Sequence, residues 1–203
     1  MVLIQLLILF LVPAFGQSNL VVKSVPKLKV KAPVYSRDFF SVDVGYVWWQ
    51  ETAQLSNTTG GNYGLIANTN GVCLGGGWRQ IHRHFDLTLD GCGLFAFTDV
   101  SIVNSPPLYF QQSVTTYGLI VGPGIHYKPS SKFVTIGLDA PLMARYTNWT
   151  LPSPNYTVTP QLRYTGGLML EGAWRLNRLF IREKIGPMYN MSWLWQMDLQ
   201  YVF

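Results

Sequence analysis

The chain has 203 residues, of which 48% are hydrophobic and 12% charged, with a formal net charge of +5. Charged residues are about half as frequent as the roughly 25% of a soluble domain, and beyond residue 16 no apolar run approaches the ~20 residues of a spanning helix. That combination excludes a helical membrane protein; with 19 glycines, 7 Trp, 11 Tyr and 11 Phe, it leaves a β-structure that meets a membrane by alternation.

Met1–Gly16 reads as a signal peptide: an apolar core from Val2 to Val12, a break at Pro13, and the small–x–small site Ala14-Phe15-Gly16. No cysteine follows the cleavage site, which argues against a lipoprotein. Residues 17–37 hold Lys23, Lys27, Lys29, Lys31 and Arg37 and no acid, whereas residues 38–203 balance 10 basic against 10 acidic side chains. The leading segment reads as an extended basic arm, either a solvated linker or a segment attracted to anionic headgroups or cell-wall polymers.

Residues 38–203 divide into four hairpins, each with a short turn at one end and a longer loop at the other. Strand one, Phe39 to Glu51, turns Phe40, Val42, Val44, Tyr46 and Trp48 outward and Ser41, Asp43 and Gly45 inward. Thr52 to Asn62 reads as a loop. Strand two, Tyr63 to Arg79, shows Val72, Leu74, Gly76 and Trp78 outward and Cys73 and Arg79 inward. A turn at His82-Arg83 leads to strand three, Phe85 to Phe97, with Asp86, Asp90 and Cys92 inward. A second loop, Asp99 to Ser113, precedes strand four, Val114 to Tyr127, whose inner face carries Gly118, Gly122, Gly124 and His126. Strand five runs from Phe133 to about Arg145 with Asp139 inward. The longest loop, Tyr146 to Pro160, precedes strand six, Gln161 to Leu176, with Glu171 and Arg175 inward. In strand seven, Leu179 to Pro187, the phase that exposes one acid, Glu183, and hides Arg182 and Lys184 is preferred, because a charge on a lipid face is costly.

The last strand has the clearest period. Trp193, Trp195, Met197, Leu199, Tyr201 and Phe203 share one face, and Gln196, Asp198 and Gln200 the other. Its length matches the ~9–11 tilted residues that cross a bilayer as a strand. Aromatics gather at two levels, Tyr46, Trp48, Trp49, Tyr117 and Trp193 at one rim and Trp78, Tyr127, Trp174, Tyr201 and Phe203 at the other.

In these features residues 38–203 resemble the bacterial outer-membrane β-barrels, in particular the small eight-stranded OmpA/OmpX-like type. The resemblance implies an all-β fold, an eight-stranded antiparallel up-and-down transmembrane barrel, with termini in the periplasm. It also implies that the Trp193–Phe203 face is the signal read by the barrel-assembly machinery and that the partners are outer-membrane lipids.

An eight-stranded barrel is only just wide enough for its own side chains. The phasing puts Asp43, Asp86, Asp90, Asp139, Glu171 and Asp198 in the lumen, facing Arg79, Arg175, Arg182, Lys184 and His126. These groups form either a structural ion-pair plug or a small gated pore. If the first turn centres between His82 and Arg83, Cys73 lies opposite Cys92 and Arg79 opposite Asp86. The cysteines then form a disulfide in an oxidising compartment, or pack as two thiols. On the outer face Gly76, Gly91, Gly93 and Pro123 form a small-residue patch that either relieves crowding or contacts lipid or a second protomer.

The sequons at Asn57, Asn148, Asn155 and Asn190 fall in loop-rich stretches where chance produces them. His82-x-His84 lacks a third ligand nearby, so no metal is expected, nor any other cofactor. No nucleophile motif marks an enzyme, and no nucleic-acid partner is expected. The expected role is structural or interactive: membrane integrity, adhesion through the loops, or lipid organisation as a homo-oligomer. A narrow pore for ions or a small solute is the alternative, and a secreted soluble barrel binding an apolar ligand a further one.

Overall fold

The computed structural model describes residues 37–57, 59–102, 111–129, 133–149, 156–158 and 161–203. The expected signal peptide and the arm up to residue 36 lie outside the described residues. Among these, no helix is long and apolar enough to cross a membrane.

Among the described residues, alternation of apolar and polar residues builds eleven strands: β1 (Arg37–Asn57), β2 (Asn62–Ile81), β3 (Phe85–Ile102), β4 (Gln111–Tyr127), β5 (Val134–Asp139), β6 (Leu142–Thr147), β7 (Tyr156–Val158), β8 (Leu162–Gly166), β9 (Met169–Leu176), β10 (Leu179–Pro187) and β11 (Trp193–Val202). All pairings are antiparallel. β1 pairs β2, β2 pairs β3 and β3 pairs β4. β4 then takes β5 and β6 end to end, which pair β9 and β8 respectively. β9 pairs β10, β10 pairs β11, and β11 returns to β1. The sheet therefore closes on itself through eight positions, because β5–β6 and β8–β9 are each one strand with an interruption.

The interruptions have local causes. Pro141 has no N–H to give a ladder, and the N–H of Ala140 bonds the Pro123 carbonyl at 2.9 Å. Across from it, the Gly167 N–H turns to the Pro141 carbonyl at 3.1 Å. Strands five and six are thus broken where the sequence reads as continuous. At the tight ends, Asn177 and Asn190 take positive φ, 60° and 57°, a conformation asparagine tolerates better than most residues.

The wall is uneven. β1 and β2 have 21 and 20 residues, whereas β10 and β11 have 9 and 10. The hairpins consequently reach further than the sequence indicates. Thr52–Ser56, expected in a loop, pairs with Asn62–Ile66; Asp99 and Ser113, also expected in a loop, are Cα partners. In the expected long loop, Thr147 still belongs to β6, and β7 pairs with β1 through Leu55↔Val158. The reason lies in the packing. Over these segments the inner face brings Ala53, Leu55, Leu65, Ala67, Val100, Val114, Trp149 and Val158 together, so the polar–apolar phase inverts and imitates a loop. The remainder of the second loop, 103–110, lies outside the described residues.

The β2–β3 register also differs from expectation. Cys73 pairs with Leu94, Gly75 with Cys92, Arg79 with Thr88 and Ile81 with Asp86, a shift of two residues. A two-residue shift keeps every side chain on its own face, so the intended partners remain diagonal neighbours.

Candidate functional site: the charged interior

Burial alternates along each wall. Phe40, Val42, Val44, Leu74, Leu89, Leu119, Leu138, Leu170 and Leu199 are exposed on the outer face. Val44 sits between Leu74 of β2 and Leu199 of β11 as their Cα partner, so the outer face is a continuous apolar belt. Tyr46, Trp48, Tyr117 and Trp193 stand exposed toward the long-loop end, and Tyr127, Tyr201 and Phe203 toward the short-turn end. Trp49 departs from the expected rim: it points inward and is fully buried, with the Arg145 guanidinium 5.8 Å from its ring centroid.

The ions lie inside. In β10 the buried positions are Phe180, Arg182, Lys184 and Gly186, which fixes the phase of this strand as expected. Glu183 faces outward and accepts a hydrogen bond from the Trp195 indole at 2.9 Å. Arg182 is the hub. Its Nη1 lies 2.5 Å from Asp90 Oδ2 and 3.7 Å from Glu171 Oε2. Its Nη2 lies 3.2 Å from Asp198 Oδ2 and 3.5 Å from Asp43 Oδ2. Lys184 Nζ lies 3.1 Å from Glu171, 3.4 Å from Asp90 and 3.5 Å from Asp139. Gln196 donates to both Asp198 oxygens at 2.9 Å. His126 faces two acids, Asp139 at 3.4 Å and Glu171 at 3.3 Å. Charges removed from water persist only when paired in this way.

Nearer the short-turn end, Asp86 lies 2.6 Å from Lys128 Nζ and 3.7 Å from Arg79, whose guanidinium covers the Phe180 ring at 4.6 Å. Arg175 is the exception among the residues expected in the lumen. It lies at the barrel end, exposed, and its Nε donates to the Asn177 carbonyl at 2.9 Å.

Three features were not anticipated. Glu51 pairs with Arg145 and with Arg163, the latter at 2.9 Å; the sequence put these residues at strand ends. Four threonines, Thr69, Thr98, Thr116 and Thr147, pass a hydroxyl ladder across adjacent strands at 2.8, 2.7 and 3.0 Å. Only their common inward phase hints at it. Above the Arg182 hub, Val47, Trp49, Leu94, Ile120, Met143, Met169, Met188 and Leu194 fill the lumen. This apolar plug includes the Cys73–Cys92 disulfide, whose Cα atoms are 5.7 Å apart. Val47-Trp48-Trp49 is apolar on both faces, so a two-period reading cannot tell plug from belt.

Space in the lumen is correspondingly small. Between the hub and the plug a cavity of about 30 Å³ touches Asp43, Asp90, Asp139, Arg182 and Lys184, room for water and not for a solute. Wider openings flank it, about 1110 Å³ beside Glu51 and Arg163 and about 760 Å³ beside Asp86 and Lys128. A soluble carrier of an apolar ligand needs the reverse arrangement, apolar space inside and ions outside.

On the outer face Gly76 and Gly91 are Cα partners, Gly93 faces Leu74, and Pro123 faces Leu89. A Cβ on Gly76 would strike the Ser41 carbonyl of β1, so close strand approach accounts for this glycine. A Cβ on Gly91 or Gly93 would meet only ordinary van der Waals contacts, with Val121 at 3.5 Å and the Leu74 carbonyl at 3.9 Å respectively.

No protein-family model matches the chain. No curated protein matches it either. Among solved structures it is similar to Neisserial surface protein A (9% identity, 80% of this chain and 95% of that one, TM-score 0.35). It is likewise similar to Ail, the attachment invasion locus protein of Yersinia pestis, solved with the heparin analogue sucrose octasulfate (11% identity, 82% and 99%, TM-score 0.34). A third is the KdgM porin (13% identity, 80% and 99%, TM-score 0.29). A closed antiparallel ring with an apolar belt outside and its ion pairs inside has the build of a small outer-membrane β-barrel.

Proposed function

We infer that the protein is an integral outer-membrane barrel with a structural and interactive role, exported by its leading segment and inserted with its termini in the periplasm. One observation carries this reading: the lumen is closed in series by the Arg182 ion-pair hub and the Trp49–methionine plug, while the outer face is an apolar belt. A barrel closed twice over does its work at its surfaces. The loop ends then serve contact with other molecules, and the belt serves contact with lipid or, through Gly91 and Gly93, a second protomer. Membrane integrity, adhesion and lipid organisation all fit these surfaces, and assembly would proceed through the barrel-assembly machinery reading Trp193–Phe203.

The second reading is a narrow pore, favoured by the wide openings on both sides of the hub. Planar-bilayer recording of the refolded protein separates the two. A silent bilayer supports the closed barrel. Steady ion-selective conductance, altered in Arg182→Gln, would establish the pore instead.

A further inference from the structure

Three side chains from three strands converge inside the barrel: His126 of β4, Asp139 of β5 and Glu171 of β9, with one ligand atom of each lying within 4.8 Å of the others. The strand register explains how. His126 is the Cα partner of Gly137, and Gly137 of Glu171, so one row across the sheet presents an imidazole, no side chain, and a carboxylate. A Cβ on Gly137 would strike the imidazole, and one on Gly124 would strike both the ring and Asp139. The two glycines let the ring lie across the sheet between both acids.

The convergence leaves buried polar atoms that are held by ion-pair contacts and not by hydrogen bonds. His126 Nδ1, Asp139 Oδ2 and both Glu171 oxygens make no hydrogen bond, although the three residues are 0%, 3% and 2% exposed. Buried groups of this kind are ordinarily satisfied. Charge points the same way. Among the described residues, Asp43, Asp90, Asp139, Glu171 and Asp198 are ion-paired with two permanent cations, Arg182 and Lys184, and Arg79 acts on Glu171 and Asp90 from further away, so carboxylates outnumber permanent cations.

We propose that His126, Asp139 and Glu171 form an internal site for one divalent transition-metal ion of the Zn²⁺ or Mn²⁺ class. One imidazole nitrogen with two carboxylates suits that class, whereas softer ions call for thiolates, and both cysteines are engaged with each other. A dication removes most of the excess negative charge. Lys184, shared between Glu171 and Asp139, retires toward Asp90, which it already approaches at 3.4 Å. The cavity of about 30 Å³ that touches Asp139 and Lys184 has room for one water, which would complete the coordination. The ion ties β4, β5 and β9 together beside the break at Pro141.

The test uses the full chain refolded in detergent with zinc or manganese alone and then dialysed. Native mass spectrometry is expected to find one zinc per barrel, retained in a His82→Ala/His84→Ala variant and bound at least tenfold more weakly in Asp139→Asn. Manganese is expected to broaden the His126 ring resonances ahead of those of His82 and His84, and with three histidines in the chain the assignment is direct. That spectrum is read on the wild type, so it does not depend on whether the variant folds. A folded wild-type barrel without stoichiometric metal, or broadening confined to His82 and His84, overturns the proposal.

Discussion

Arg182 and Asp198 are Cα partners on adjacent strands, and the Arg182 Nη2 lies 3.2 Å from the Asp198 carboxylate deep inside the barrel. The arginine is 1% exposed and also reaches Asp43, Asp90 and Glu171. Its removal leaves Asp43, Asp90 and Asp198 without their main counter-charge. Arg182→Ala is therefore expected to cost about 3–5 kcal/mol, the usual loss when one partner of a buried pair is deleted. Urea unfolding in micelles reads the difference, and a change within error would mean that the hub is not formed.

The outer belt makes a depth-dependent prediction. Val44 lies mid-strand between Leu74 and Leu199, and Phe40 near the short-turn end opposite Trp78. Val44→Arg is expected to cost about 2–4 kcal/mol and Phe40→Arg only about 0–1 kcal/mol in a lipid bilayer. Equal costs for the two substitutions in folding titrations would remove the belt assignment.

Glu183 and Trp195 form a polar contact on the apolar side of the wall, at 2.9 Å. Trp195→Phe takes away the donor and is expected to destabilise by about 1–3 kcal/mol, the penalty of an unsatisfied group. Adding Glu183→Leu should recover most of that loss. Failure of the second change to rescue the first would show that the pair is not coupled.

The Cys73–Cys92 bond joins diagonal neighbours across β2 and β3 inside the apolar plug. The folded protein should show no reactive thiol until denatured and reduced. Reduction is expected to cost about 2–4 kcal/mol, seen as a lower urea midpoint under reducing conditions. Free thiols in the non-reduced, unfolded chain would count against the bond.

By itself the sequence determined which face of each strand turns outward and which meets the interior, because a period of two separates Val44 from Asp43 and Leu199 from Asp198 whatever the register. For the same reason a two-residue error in the β2–β3 pairing left Cys73 near Cys92 and Arg79 near Asp86. Strand seven was also legible, since one outward acid costs less than two outward cations. What only the tertiary structure decided was how these faces stack in height. Trp49 stands beside Trp48 in a run apolar on both sides, and it took closure of the ring to show that one fills the lumen and the other the belt. Glu51, Arg145 and Arg163 come together across the barrel above the short β10–β11 hairpin, and His126, Asp139 and Glu171 across three strands. Such pairings depend on shear and strand length around the closed sheet, quantities that no local periodicity encodes.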